Sequence, residues 1–158
     1  MIRCFLGLGS NLEHPAAQLR SALAALAGLE HSQLGRVSPL YTNPALGTDP
    51  QPDFVNAVAE LFTALEPLPL LRALQAIETA HGRIRTVRWG ARTLDIDLLL
   101  YGDSTLALPD LTVPHYAMRE RDFVLRPLHD LEPALTLPDG TSLRTLLDCC
   151  SDRGLQRL

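Results

Sequence analysis

The stretch RTLDIDLLLYG, Arg92–Gly102, sets two acids inside an apolar run. It reads as a buried strand from Thr93 to Tyr101. In a strand, residues i and i+2 share a face. Thr93, Asp95, Asp97 and Leu99 therefore point one way, and Leu94, Ile96 and Leu98 the other. Ionised carboxylates in such a run are costly unless something compensates them. One face is expected to pack on helices and the other to hold charge.

Working outward, Ile2 to Leu8 reads as a first buried strand that ends in Gly7-Leu8-Gly9-Ser10-Asn11. A helix follows, with Pro15 near its start, Leu19, Leu23 and Leu26 at helical spacing and Gly28 at its end. A second strand is expected at Leu34 to Tyr41 and a third at Asp53 to Phe62. The segment between them, Thr42 to Asp53, holds three prolines, a glycine and two aspartates. Long turn-rich loops in compact domains are often functional. A second helix is expected at Pro67 to His81, with Leu71, Leu74, Ile77 and His81 on one stripe and Gln75 and Glu78 on an adjacent face.

The order β-α-β-β-α-β is the split ferredoxin-like arrangement. It predicts an α+β protein: an antiparallel sheet with both helices on one face, extended by C-terminal elements into α/β/α layers. The last third, from Asp103, is broken by five prolines and holds a helix near Leu143 to Cys149 after the turn Pro138-Asp139-Gly140. It is expected to wrap the sheet. No repeat or linker divides residues 1–158, which read as a single domain.

The carboxylates of Asp95 and Asp97 are about 7 Å apart along the strand. That spacing suits one hard cation or a bridge between two. Magnesium takes one or two carboxylates together with phosphate oxygens and water. For the two acids alone, a structural ion pair with nearby arginines is an equal reading. The preceding loop, GRIRTVRWGAR, carries Arg83, Arg85, Arg88 and Arg92 around Trp89. Four arginines leading into two acids suit a metal–polyphosphate complex, the acids holding the cation and the arginines the phosphate oxygens. A solvated basic loop is the bland alternative. His115, Tyr116 and Arg121 lie in a further polar segment, LTVPHYAMRER. Phe54 and Asn56 share a face of the third strand, which suits a flat heterocycle or, equally, a satisfied core amide. GLGSN is not a dinucleotide fingerprint, because the third glycine falls at Leu12.

Composition narrows the classes. Apolar residues make up 46% and charged residues 20%, as in a globular domain. All 14 basic residues are arginine, which removes lysine chemistry and favours bidentate phosphate binding. The net charge of -4 argues against nucleic acid or an anionic membrane as the partner. Three cysteines without a C-x-x-C suggest neither a disulfide framework nor a zinc cluster, so a reducing, cytoplasmic setting is expected. The first apolar run is too short for a signal peptide, and none reaches bilayer-spanning length. An RNA-binding module of the same topology would need exposed sheet aromatics and a basic surface. A palm-like nucleotidyl transferase also places two aspartates on such a sheet.

RWGARTLDIDLL, Arg88–Leu99, resembles the signature of the 6-hydroxymethyl-7,8-dihydropterin pyrophosphokinase family of folate biosynthesis. GLGSNL, PALG…QPDFVNAV, QAIETAHGRIR and LTVPHYAMRERDFVLRPL extend the resemblance in order over nearly the whole chain. It implies transfer of pyrophosphate from ATP to the pterin hydroxymethyl group, giving the pterin diphosphate and AMP. It also implies two Mg²⁺ ions held by Asp95 and Asp97, with Arg83, Arg92 and Asp97 as the catalytic residues. ATP would contact Gln75, Glu78, Arg83, Arg85, Trp89, Arg92, Thr112, His115, Tyr116 and Arg121. The pterin would lie between Phe54 and Phe123, with Asn43, Pro44, Leu46 and Asn56 beside it. The implied partners are these two small molecules, with neither nucleic acid nor membrane, and the chain is expected to act as a monomer. Two positions depart from the family pattern: Asn43 replaces a usual threonine and Phe54 a common tyrosine.

Overall fold

The computed structural model of the chain describes residues 1–12, 14–45, 50–82 and 94–158. Five main strands lie in the spatial order β5-β1-β4-β3-β8, and β2 also pairs with β4. In sequence these are β1 (Ile2–Ser10), β2 (Ser32–Val37), β3 (Tyr41–Asn43), β4 (Phe54–Thr63), β5 (Asp95–Tyr101) and β8 (Gln156–Arg157). All pairings in this sheet are antiparallel. A separate hairpin is formed by β6 (Leu106–Leu108) and β7 (Leu111–Val113).

The strand expected at Leu34 to Tyr41 is two strands, β2 and β3. Ser38 and Pro39 separate them. Proline cannot donate to a ladder. The Ser38 hydroxyl instead accepts the Val58 N–H at 2.9 Å, and the Ser38 N–H donates to the Val58 carbonyl at 2.9 Å. The chain thus bends without leaving β4.

Helix α1 (Pro15–Ala27) has proline in its first turn and Gly28 at its C-cap. It buries Leu19, Ala22 and Leu26, with Leu23 partly covered. Helix α2 (Pro67–Ala80) buries Leu70, Leu74, Ile77 and Glu78. Its inward stripe is therefore rotated from the expected Leu71 and His81, and His81 is the C-cap. The run PLPLL holds Leu68, Leu70 and Leu71, and contact with the sheet selects Leu70 as the first buried position. Both helices pack on one face, against Leu6 and Leu8 of β1 and Leu94, Ile96 and Leu98.

The last third covers part of the opposite face. Helix α3 (Asp122–Leu131) and helix α4 (Leu143–Cys149) bury Val124, Leu125, Leu128 and Leu143 against Phe5, Val58, Leu99 and Leu100. Ser142 caps α4 by accepting the Thr145 N–H at 3.1 Å. A register shift between Phe5 and Leu6 puts Leu100 opposite Phe5 and Leu98 opposite Leu6. The extra residue lets Leu99 and Leu100 serve the same core, so strict alternation ends there. The two helices stop short of the opposite end of this face, and the cleft described next lies there.

Candidate active site

The cleft is a cavity of about 190 Å³ bordered by Gly7, Gly9, Asn43, Phe54, Asn56, Asp95, Asp97, Arg121 and Phe123, together with Gln51 and Val124. Strand register builds its floor. Gly9 of β1 lies opposite Asp95 of β5 on one side and Asn56 of β4 on the other. Gly7 is opposite Asp97 and Val58 in the same way. The two glycines and their four neighbours share one sheet face, so the absence of β-carbons on β1 leaves the space between the acids and the amide open. A β-carbon on Gly9 would stand 2.7 Å from Asn56 Oδ1. One on Gly7 would meet Leu99 at 3.4 Å, an ordinary contact.

The walls come from three further segments. Asn56 is buried and donates through Nδ2 to Asn43 Oδ1, while Asn43 Nδ2 donates to the Pro44 carbonyl at 3.2 Å. This chain fixes the amide plane of Asn56. Arg121 and Phe123 stand at the start of α3, the guanidinium carbon 5.5 Å from the ring centroid. Buried Asn11 reaches across through Nδ2 to Gln51 Oε1 at 3.3 Å and to the Pro52 carbonyl at 3.2 Å, tying the incoming loop to the end of β1.

His115 Nε2 is 3.8 Å from Asp97 Oδ2. Burial, and then the Arg121 charge, push the imidazole below its ordinary value, with Asp95 pulling the other way. The ring is therefore neutral at pH 7. Nδ1 accepts the Ala117 N–H at 3.2 Å, which puts the remaining proton on Nε2, the atom nearer Asp97. The His115 backbone donates to the Leu99 carbonyl at 3.0 Å and so fixes this segment to β5.

Asp95, Asp97, Arg121, Asn43, Phe54, Asn56 and Phe123, seven of the residues expected in the site, thus meet at one cleft, with His115 beside it. Others stand elsewhere. Tyr116 is exposed and stacks on His115 with ring centroids 4.8 Å apart. Thr112 is an exposed residue of the β6–β7 hairpin. Gln75 accepts from Arg72 Nη1 at 3.0 Å on α2. Glu78 is buried, and its Oε2 accepts the Ile96 N–H at 2.8 Å, the peptide between the two aspartates. The Pro44 ring lies 3.5 Å from where a β-carbon on Gly154 would stand. Leu46, Arg83, Arg85, Trp89 and Arg92 lie outside the described residues. Gly7 and Gly9 also line the cleft, beyond the residues the sequence pattern points to. Their signal was two glycines at strand spacing in an otherwise bulky strand, a pattern that marks close approach of something to the backbone.

Among the described residues, no group of three or more His, Cys, Asp or Glu could hold a metal ion. The donor set is nevertheless suited to magnesium, which completes its shell with phosphate and water around one or two carboxylates. Among the described residues this face offers Asp95 and Asp97, the Arg121 guanidinium, the Phe54 and Phe123 rings and the oriented Asn56 amide.

The family model described as 7,8-dihydro-6-hydroxymethylpterin-pyrophosphokinase (HPPK) matches residues 5–133. The chain belongs to this family. It is 54% identical to the 2-amino-4-hydroxy-6-hydroxymethyldihydropteridine pyrophosphokinase of Pseudomonas aeruginosa, over 99% of this chain and 96% of that one. The enzyme of the same name from Haemophilus influenzae is 44% identical over 100% of this chain and 99% of its own. A crystal structure of Plasmodium falciparum HPPK-DHPS with pterin and p-hydroxybenzoate superposes with a TM-score of 0.74 at 15% identity, covering 93% of this chain. The present chain spans 43% of that longer protein, and the likeness speaks for the fold. Pyrophosphokinase activity on hydroxymethyldihydropterin, a transferase step of folate biosynthesis, follows from the family and its near relatives.

Proposed function

We propose that the chain transfers the β,γ-pyrophosphoryl unit of ATP to the hydroxymethyl oxygen of the pterin in this cleft, releasing AMP, with magnesium held by Asp95 and Asp97. The observation that carries this reading is the register at Gly9, which sets Asp95 and Asn56 on either side of a bare backbone. A phosphate-binding edge and a heterocycle-binding edge are thus one strand apart on each side of β1. Positioning of this kind supplies much of the acceleration in phosphoryl transfer, which needs little covalent help from the protein.

Phe54 and Phe123 hold the flat pterin ring, and Asn56, oriented by Asn43, hydrogen-bonds its edge. Pro44 and Leu46 belong to the loop beside it. Asp95 and Asp97 would hold two magnesium ions. Bound magnesium neutralises phosphate charge and eases loss of the hydroxyl proton. Arg121 and His115 meet the triphosphate next to the acids. Arg83 and Arg92 clamp the moving phosphates, and Arg85, Trp89, Gln75, Glu78, Thr112 and Tyr116 complete the ATP contacts. Through its bond to the Ile96 N–H, Glu78 also steadies the strand between the two acids. The neutral His115 donates from Nε2 and adds no positive charge to compete for Asp97. The enzyme works as a cytoplasmic monomer on two small molecules, without nucleic acid or membrane. The net charge of -4 and the free thiols of Cys4, Cys149 and Cys150 support that setting. No helix among the described residues is long and apolar enough to cross a membrane.

The test is to supply ATP, Mg²⁺ and 6-hydroxymethyl-7,8-dihydropterin and to separate the nucleotide products. Pterin-dependent AMP that disappears with EDTA and returns with Mg²⁺ is the expected result. ADP would mean transfer of one phosphoryl group, and pyrophosphate would mean nucleotidyl transfer; either overturns the proposal.

A further inference from the structure

Residues 153–158 take no part in the reaction just described, yet they touch both walls of the cleft. β8 pairs with β3, Arg157 opposite Tyr41 and Gln156 opposite Thr42. The Leu158 N–H continues the ladder by donating to the Leu40 carbonyl at 2.9 Å. β3 ends at Asn43, the residue that orients Asn56. Gly154 has φ +86, and a β-carbon there would meet the Pro44 ring at 3.5 Å. At the other wall, the Arg153 N–H donates to Asp122 Oδ2 at 3.1 Å. Asp122 is 7% exposed, opens α3 and precedes Phe123 of the cleft. Further along α3, Asp130 accepts from the Tyr41 hydroxyl and lies 4.0 Å from Arg157 Nη2. The segment, β3 and α3 therefore close a ring of contacts behind the cleft.

We propose that residues 153–158 are a brace that holds Asn43 and Phe123 at the spacing a pterin requires, and so sets pterin affinity without touching the substrate. The inference rests on the reading of this cleft as the pterin site. A three-residue strand held on one side only is prone to fray, because it has few ladder bonds to offset its conformational entropy. β8 supplies the second side. Losing it transfers the cost of ordering Asn43 to the binding step. The acids are spared, since β5 lies at the far end of the sheet order β5-β1-β4-β3-β8. Arg121 is held separately, by its N–H to the Met118 carbonyl and by the Val124 and Leu125 N–H groups on its own carbonyl, so the brace acts chiefly on pterin. Its members are positioning residues.

Two full-chain variants test this. Gly154→Val puts a branched side chain at positive φ and against Pro44, and Gln156→Pro removes a ladder donor. Gly140→Val is the matched control, with the same backbone strain at φ +89 and nothing within 4 Å of its β-carbon. Both brace variants are expected to raise the KM for pterin about tenfold while the KM for ATP and kcat stay within about twofold. The control should leave all three unchanged, and hydrogen exchange at residues 40–43 should quicken in the brace variants alone. The brace is overturned if exchange quickens without a change in pterin KM, if exchange does not quicken, if ATP KM rises in parallel, or if the control behaves like the variants. Phe54→Ala separates the two ideas. If it weakens pterin binding while the brace variants do not, only the brace fails. If it leaves pterin binding intact, the cleft reading falls and the brace with it.

Discussion

Asn56 and Glu60 stand on one face of β4 with Val58 between them, and their surroundings are opposites. Asn56 borders the cleft with Asp95 and Asp97 across Gly9 and Gly7. Glu60 is 4% exposed and meets Arg3 Nε at 2.8 Å, Arg36 Nη2 at 3.1 Å and the Arg36 N–H at 3.2 Å. The Arg36 hydrogen bonds, joined by those of Arg3, hold its carboxyl down at about 2 against the opposing effect of burial. Glu132 accepts from both arginines and closes the cluster. At one end of the strand a buried acid sits inside a closed cluster of arginines; at the other, two acids and an amide border open volume. The first arrangement stabilises the fold, and the second leaves room for a ligand.

That contrast breaks most sharply at Asp97. Asp97→Ala is expected to cut pterin-dependent AMP formation on the order of 10²–10³-fold with little change in melting temperature. Normal turnover at saturating Mg²⁺ would remove Asp97 from the reaction. Next in size is a paired comparison of cations. Arg92→Ala should cost roughly 10²-fold more turnover than Arg36→Ala, because a phosphate clamp acts on the transition state and the Arg36 cluster acts on stability. Equal activity of the two variants would remove the phosphate-clamp role proposed for Arg92.

Glu60→Gln should leave turnover per folded molecule unchanged while lowering the unfolding free energy by about 3 kcal/mol, measured by urea denaturation at pH 7. The pH dependence has a defined sign. The Glu60 carboxyl is lowered from 4.5 to about 2 by folding, so its contribution is present above about pH 4.5 and is lost as the pH falls toward about 2. The Gln variant should lack that part of the acid slope, and an unchanged slope would show that Glu60 does not carry it. The smallest expected effect is at the floor. Gly9→Ala places a β-carbon 2.7 Å from Asn56 Oδ1 and should raise pterin KM about tenfold, leaving ATP KM unchanged.

Local pattern made much of the fold legible. The apolar spacing between Pro15 and Gly28 defines α1, and the prolines at the start of α2 and the turn before Ser142 mark the starts of two more helices. Alternation in LDIDLL put Asp95 and Asp97 on one face and Leu94, Ile96 and Leu98 in the helical core, as the structure has them. Alternation failed at Leu100, where the shift between Phe5 and Leu6 is a property of two paired strands. It failed again at Ser38, whose hydroxyl replaces a strand partner only because Val58 is there. Helical spacing puts Glu78 with Gln75 on a face adjacent to the apolar stripe. Its burial under Ile96 depends on how α2 docks on β5.

The candidate site divides along the same line. That two carboxylates share a face is written in residues 95–97, since the pleat of a strand follows from backbone sterics within it. The motif pattern from GLGSNL to RERDFVL carries the family. What those carboxylates look out on was settled by folding: glycines from β1, an amide from β4 oriented by Asn43 of β3, a ring and a guanidinium from α3, and a closing segment that ties β3 to α3. Cross-strand neighbours depend on register, and register is set by burial of whole faces over long sequence separations. A local run of eleven residues therefore specifies which way its acids point, and the packed sheet specifies what they meet.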